Sequence, residues 1–172
     1  MMVLDIRLIF SYLSIFCSLI IVSSSKAQDF DWPSYGGDNG SSKYAPLSQI
    51  NAENVSRLVT AWEWESPDNA LVSGIIRDGG PMLRPGPFKA TPVVVDGSMY
   101  LPTTYGQIVS LNPVSGQINW IFDTKTYEDG RPTNLGFNVR GVAYWDGGEE
   151  KRIFFATNNS YLWSIDSATG NP

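Results

Sequence analysis

The chain has 172 residues, 42% hydrophobic and only 17% charged, a balance that supports a folded core rather than a disordered polypeptide. Its net charge of −5 argues against a nucleic-acid or anionic-lipid surface, because both polyanions are repelled by an acidic protein. There is no histidine, which excludes imidazole acid–base chemistry, a Ser-His-Asp triad and any His-dependent metal site within these residues.

Residues 8–22 form a short apolar run, followed by Ser23-Ser24-Ser25-Lys26-Ala27-Gln28. A run of this kind ending on small residues at Ser25 and Ala27 is the pattern of a secretory signal peptide over residues 1–27, cleaved after Ala27. An uncleaved membrane anchor is the alternative, although the run falls short of the ~20 residues a span needs. Phe16 before Cys17 excludes a lipoprotein signal. Cys17 is the only cysteine, so the exported part has no intrachain disulfide, no Cys zinc site and no haem-attachment motif. Export of a chain without cysteine pairs suggests a bacterial periplasm.

Residues 28–88 read as a turn-rich lead-in. Asn51 can cap a short helix, with Asn54 where a full capping box would have Glu. Thr60-Ala61-Trp62-Glu63-Trp64-Glu65 alternates apolar and charged residues, the period of a half-buried strand. Residues 67–87 contain scattered Gly and Pro and read as a long surface loop.

From Lys89 to residue 172 the punctuation becomes regular. Strands are expected at residues 91–95, 98–103, 107–111 and 117–122, separated by Asp96-Gly97, Tyr105-Gly106 and Asn112-Pro113-Val114-Ser115-Gly116. Four antiparallel strands in so short a stretch are the content of one propeller blade. The pattern restarts with strands at 141–145, 152–157 and 161–165, which gives most of a second blade. Residues 108–116 align with 162–170 at a constant offset of 54 residues. In both copies an Asx residue opens the turn, Ser or Thr follows, and Gly supplies positive φ. Trp120 lies four residues after the first of these glycines. Repeats of this kind bury their faces only against neighbours, so the fold class is all-β, the truncated N-terminal part of a larger propeller.

Several segments resemble the dehydrogenases that use pyrroloquinoline quinone (PQQ) on eight-bladed propellers. They are Asp31-Trp32-Pro33-Ser34-Tyr35-Gly36-Gly37-Asp38, Lys43 to Asn51, Ala90-Thr91-Pro92-Val93-Val94-Val95-Asp96-Gly97, the turn leading to Trp120, and Arg140-Gly141-Val142-Ala143-Tyr144-Trp145. Together they cover essentially all of residues 31–172. Within the family the chain looks most similar to the membrane-type glucose dehydrogenases. The methanol-dehydrogenase type carries adjacent cysteines shortly before the arginine, where this chain has Asn134 and Leu135.

The resemblance implies that Arg140 binds PQQ, since a guanidinium offers fixed donors to carboxylate or quinone oxygens. It places Lys89 where relatives often have a cofactor-contacting Glu or Gln, and Thr157 where they often present a hydroxyl. Trp120 is expected to pack between blades, with its indole N–H on a backbone acceptor. The implied reaction passes a hydride equivalent from a carbinol to the quinone, with an Asp base and Ca²⁺ as Lewis acid. The Asp and the Ca²⁺ ligands have no match in these residues, and Asp78, Asp123 and Asp146 read as turn residues. The expected partners are a sugar or alcohol substrate and a ubiquinone or cytochrome acceptor, with membrane association if the leader is retained. The competing reading is a non-enzymatic propeller scaffold for envelope proteins, which would need neither the opening signature nor Arg140.

Overall fold

The computed structural model describes residues 30–77, 85–132 and 136–172. The leader, Asp78 and the Asn134/Leu135 positions lie outside the described residues. Seven strands form two antiparallel sheets. The first contains β1 (Val93–Val95), β2 (Ser98–Pro102), β3 (Gln107–Leu111) and β4 (Ile118–Asp123) in sequential order. The second contains β5 (Ala143–Asp146), β6 (Lys151–Ala156) and β7 (Leu162–Asp166), also in sequential order. Each expected strand of residues 91–165 is present within two residues of its expected ends. β1 is the shortest because the Thr91 N–H leaves the ladder for the Arg140 carbonyl at 2.8 Å, and Pro92 has no N–H to donate.

The two sheets pack face to face. Val93, Val95, Tyr100 and Ile108 of the first meet Val139, Ile153, Phe155 and Ile165 associated with the second. The other face of the first sheet buries Leu101, Val109 and Leu111 under Trp64. β3 is therefore buried along its whole length, as a strand covered on both faces must be.

The repeat is visible atom by atom. Val114 and Ser115 donate their N–H groups to Asn112 Oδ1 at 2.9 and 3.1 Å, while Ala168 and Thr169 donate to Asp166 Oδ1 at 3.1 and 2.7 Å. Gly116 and Gly170 close these turns at φ 71° and 76°. The offset extends further than the aligned segment. Thr103 and Thr157 donate their N–H groups to Gln107 and Tyr161 carbonyls at 2.7 and 2.9 Å, over turns with Gly106 and Ser160 at φ 84° and 71°. Ser160 hides this match from sequence, because it occupies a left-handed position usually given to Gly.

Trp120 docks between the sheets as expected. Its indole N–H donates to the Ser167 carbonyl at 3.0 Å, and a Cβ at Gly170 would meet the ring at 2.7 Å. Trp62 repeats this contact one turn earlier, donating to the Pro113 carbonyl at 3.0 Å over Gly116. Residues 60–65 thus sit against the first sheet as β4 sits against the second. Their alternation is real, with Trp62 and Trp64 half-buried between exposed neighbours. The expected strand is nevertheless not formed: the segment pairs with no other strand among the described residues.

Two further expectations change. The short helix is a 3₁₀ turn, Val55–Arg57, whose N-cap is Asn54 rather than Asn51 and has no side-chain cap; the two asparagines instead brace the turn before it, where Asn51 Oδ1 accepts Glu53 N–H at 3.0 Å and Asn54 Oδ1 accepts Asn51 N–H at 2.8 Å. The long loop at 67–87 contains a helix, α1 (Asp68–Arg77). Ser66 before Pro67 is the reason: Ser66 Oγ accepts the Asp68 N–H at 3.3 Å, and Pro at the first helical position costs no hydrogen bond.

One polar clamp ties the sheets at their edge. Asp96, in the β1–β2 turn, accepts Lys151 Nζ at 2.7 Å and the Tyr144 hydroxyl at 3.1 Å. The Lys151 contact, then the Tyr144 hydroxyl, hold the Asp96 carboxyl below its ordinary value of 3.8. Burial, then the Asp96 acceptor, push the Tyr144 hydroxyl up to about 12. A depressed carboxyl contributes stability that is present above its unfolded value and lost as pH falls through the folded one. Asp96→Asn should therefore melt slightly below the unsubstituted protein at about pH 6, with a narrower gap at about pH 3. Melting curves at the two pH values check this.

Candidate functional site

Strand direction decides which residues share an end of the sheets. β1 runs away from Lys89, β2 returns, and the β2–β3 turn at Thr103 to Gly106 therefore lies at the Lys89 end. β4 returns to the same end and delivers Thr124 and Thr126. In the second sheet the register Ala143↔Phe154 puts Arg140, three residues before Ala143, at the same end as Thr157, three residues after Phe154. Lys89, four residues before Val93, likewise lies at the same end as Thr104, four residues after Tyr100. Lys89 and Arg140 thus precede the first strands of adjacent sheets, linked by the Thr91–Arg140 backbone bond. The three residues expected from the resemblance gather at one end. The Asx turns, Asp96 and Asp146 lie at the other.

Lys89 and Arg140 are both exposed, and neither forms an ion pair with a described carboxylate. Thr157 is different: it is buried, and its hydroxyl meets Asn159 Oδ1 at 2.6 Å and the Tyr161 carbonyl at 3.2 Å. A hydroxyl has one proton, so Thr157 is engaged as a donor and retains lone pairs to accept. Asp123 and Asp146 behave as turn residues, with Asp123 Oδ1 accepting Lys125 N–H at 2.9 Å and Asp146 Oδ1 accepting Gly148 N–H at 2.8 Å. Among the described residues no three His, Cys, Asp or Glu side chains cluster as a metal would require. No helix there is long and apolar enough to cross a membrane.

Sequence reasoning missed two groups at this end. Asp68, at the start of α1, is 5% exposed and accepts the Tyr105 N–H at 3.1 Å and Gln107 Nε2 at 3.0 Å. The Ser66-Pro67-Asp68 helix start, followed by Leu71, Val72, Ile75 and Ile76 at helical spacing, was its available signal. Asn138, two residues before Arg140, has a buried Oδ1 with no donor. A cavity of about 440 Å³ under α1 is lined by Asp68, Val72, Gly86, Phe88 and Thr104 among others, so its wall reaches Phe88, the neighbour of Lys89.

The donor set suits an anionic, acceptor-rich ligand. PQQ carries three carboxylates and two quinone oxygens, and two cations without carboxylate partners complement these. Its pyrrole N–H is a donor of the kind the buried Asn138 Oδ1 lacks. The residues present fit the group.

The profile of the family described as "PQQ: Glucose/ethanol/alcohol dehydrogenase, beta-propeller domain" matches residues 32–172. The dehydrogenase subunit of the alcohol dehydrogenase (quinone) of Gluconobacter oxydans is 31% identical over 146 residues, covering 81% of this chain and 16% of that protein. Quinoprotein glucose dehydrogenase A of Acinetobacter calcoaceticus is 27% identical over 158 residues, covering 81% of this chain and 18% of the relative. The crystal structure of quinohemoprotein alcohol dehydrogenase from Comamonas testosteroni superposes with a TM-score of 0.61 at 28% identity, covering 83% of this chain and 18% of that one. The chain therefore spans less than a fifth of the length of these relatives. Alcohol and glucose enzymes both stand among them. With two consecutive antiparallel sheets and this match over nearly all the described residues, the chain belongs to the β-propeller family of PQQ-type glucose, ethanol and alcohol dehydrogenases.

Proposed function

We propose that the chain supplies the first blade and most of the second of an eight-bladed periplasmic dehydrogenase that uses PQQ to oxidise an alcohol or a glucose-type sugar. The observation that carries this reading is the meeting of Lys89 and Arg140 at one end of two adjacent sheets, without carboxylate partners among the described residues. When bound, PQQ supplies the two-electron acceptor for a CH–OH donor. The chain's own part is to bind and orient. Arg140 holds anionic oxygens with a planar fork, Lys89 adds a point charge, and Thr157 offers lone pairs from a fixed position. Ca²⁺ and the catalytic base come from residues outside this chain. Relatives whose names specify quinone or cytochrome c support one of these as electron acceptor.

The test uses the protein purified from its host, at its full length there. PQQ should quench its tryptophan fluorescence saturably, and PQQ with Ca²⁺ should support dye reduction with a primary alcohol or glucose. The 172 residues expressed by themselves should give no dye reduction. A folded host protein that does not bind PQQ would overturn the proposal.

A further inference from the structure

Arg140 and Lys89 sit on arms that have little strand structure of their own, so something else must fix them. Phe137 lies three residues before Arg140, and Gly86 three residues before Lys89. These two touch: a Cβ at Gly86 would collide with the Phe137 carbonyl oxygen and then approach Thr104 Cγ2. The Phe137 ring, 1% exposed, meets Tyr105 edge-on at 4.8 Å between centroids. Leu71 and Val72 of α1 close over both rings. Asp68 then locks the Tyr105 turn from α1 through its bonds to Tyr105 N–H and Gln107 Nε2. A buried carboxylate with two donors costs desolvation, and simple helix packing would not need it.

We infer that Asp68 and Gly86 are positioning residues, which hold the Lys89 and Arg140 arms at the spacing the cofactor's anionic groups require. The inference rests on the PQQ reading, and its test separates the two. Asp68→Ala leaves the Tyr105 N–H and Gln107 amide without their acceptor and frees the turn. Asp68→Asn should restore most of the function, since Gln107 can flip its carboxamide to face an amide partner. Gly86→Ala drives Gly86 and Phe137 apart without touching α1's carboxylate. Gly116→Ala is the control: its Cβ meets the Trp62 ring at 2.6 Å with φ at +71°, so it perturbs the opposite end of the same sheet.

Two readouts are taken on the host-purified protein and its variants. The first needs no cofactor: hydrogen exchange of the Thr91 amide, which is bonded to the Arg140 carbonyl. It should speed up roughly tenfold in Asp68→Ala and Gly86→Ala and stay unchanged in Gly116→Ala. The second is PQQ affinity, expected to fall about tenfold or more in the same two variants, to recover in Asp68→Asn, and to hold in Gly116→Ala. Unchanged Thr91 exchange overturns the positioning role whatever PQQ does. Affinity lost in all variants in proportion to their melting temperatures also overturns it, since that is the mark of general destabilisation. Failure of the unsubstituted protein to bind PQQ, with Thr91 exchange responding as expected, overturns the cofactor reading and leaves Asp68 and Gly86 as the fixers of these two arms.

Discussion

Trp120→Ala is expected to lower the unfolding free energy by about 3 kcal/mol, read as a shift in the urea midpoint. The indole joins the two sheets: it packs at 5.8 Å from the Tyr100 ring, reaches across the repeat to Ser167, and lies over Gly170. Most of the loss is packing rather than hydrogen bonding. The Ser167 carbonyl keeps a second donor, the Tyr100 hydroxyl at 3.1 Å, so removing the indole does not orphan it. Gly170→Ala attacks the same joint from below, since its Cβ would meet Trp120 at 2.7 Å and its φ of +76° is unsuited to alanine. Gly97→Ala separates the two causes. With φ +69° and nothing within 4 Å, it carries backbone strain alone, about 1 kcal/mol. If Gly170→Ala proves no worse than Gly97→Ala, the indole contact is not the joint it is taken to be. Trp62→Ala should be milder, because the segment it anchors pairs with no other strand among the described residues.

Arg140→Ala is expected to weaken PQQ binding by roughly ten- to a hundredfold, the worth of one or two charge-assisted hydrogen bonds at about 1.5–3 kcal/mol together. Stability should hardly move. The tie between this residue and Thr91 runs through the Arg140 carbonyl, which alanine retains, and the side chain is exposed. Arg140→Lys should recover part of the affinity by charge while losing the paired donors of the guanidinium. Lys89→Ala should lose less, since a single exposed ammonium is a screened point charge. Fluorescence titration with PQQ beside a melting curve for each variant reads both quantities. Affinity unchanged in Arg140→Ala would remove this residue from the cofactor site.

The strands were legible because their signals are local. Asp96-Gly97 makes a hairpin whatever surrounds it, and the Asx–Gly turns at 112–116 and 166–170 carry their hydrogen-bond partners within five residues. Trp120 could be read as a plate between sheets because the turn leading to it resembles a family motif. α1 was illegible for the opposite reason. The Gly and Pro of residues 67–87 outweighed a start signal of three residues, and the helix gains its stability from Tyr105 and Phe137, which lie far along the chain. Residues 60–65 have a strand's alternation, but alternation specifies a buried face and not the neighbour that completes a ladder.

The amino-acid sequence by itself determined the repeat, the order of turns and strands, and the chemical character of Arg140, Lys89 and Thr157, because periodicity and residue type need no partner to be read. Tertiary structure decided what those residues are to one another. Strand direction brought Lys89 and Arg140 to one end, Thr157 was found with its proton already committed to a neighbour, and Asp68, unremarkable in a polar turn, became a buried carboxylate holding the β2–β3 turn at that same end. Proximity between positions 68, 86, 105 and 137 arises only when sheets stack and a helix closes over them, and local preference encodes none of those contacts.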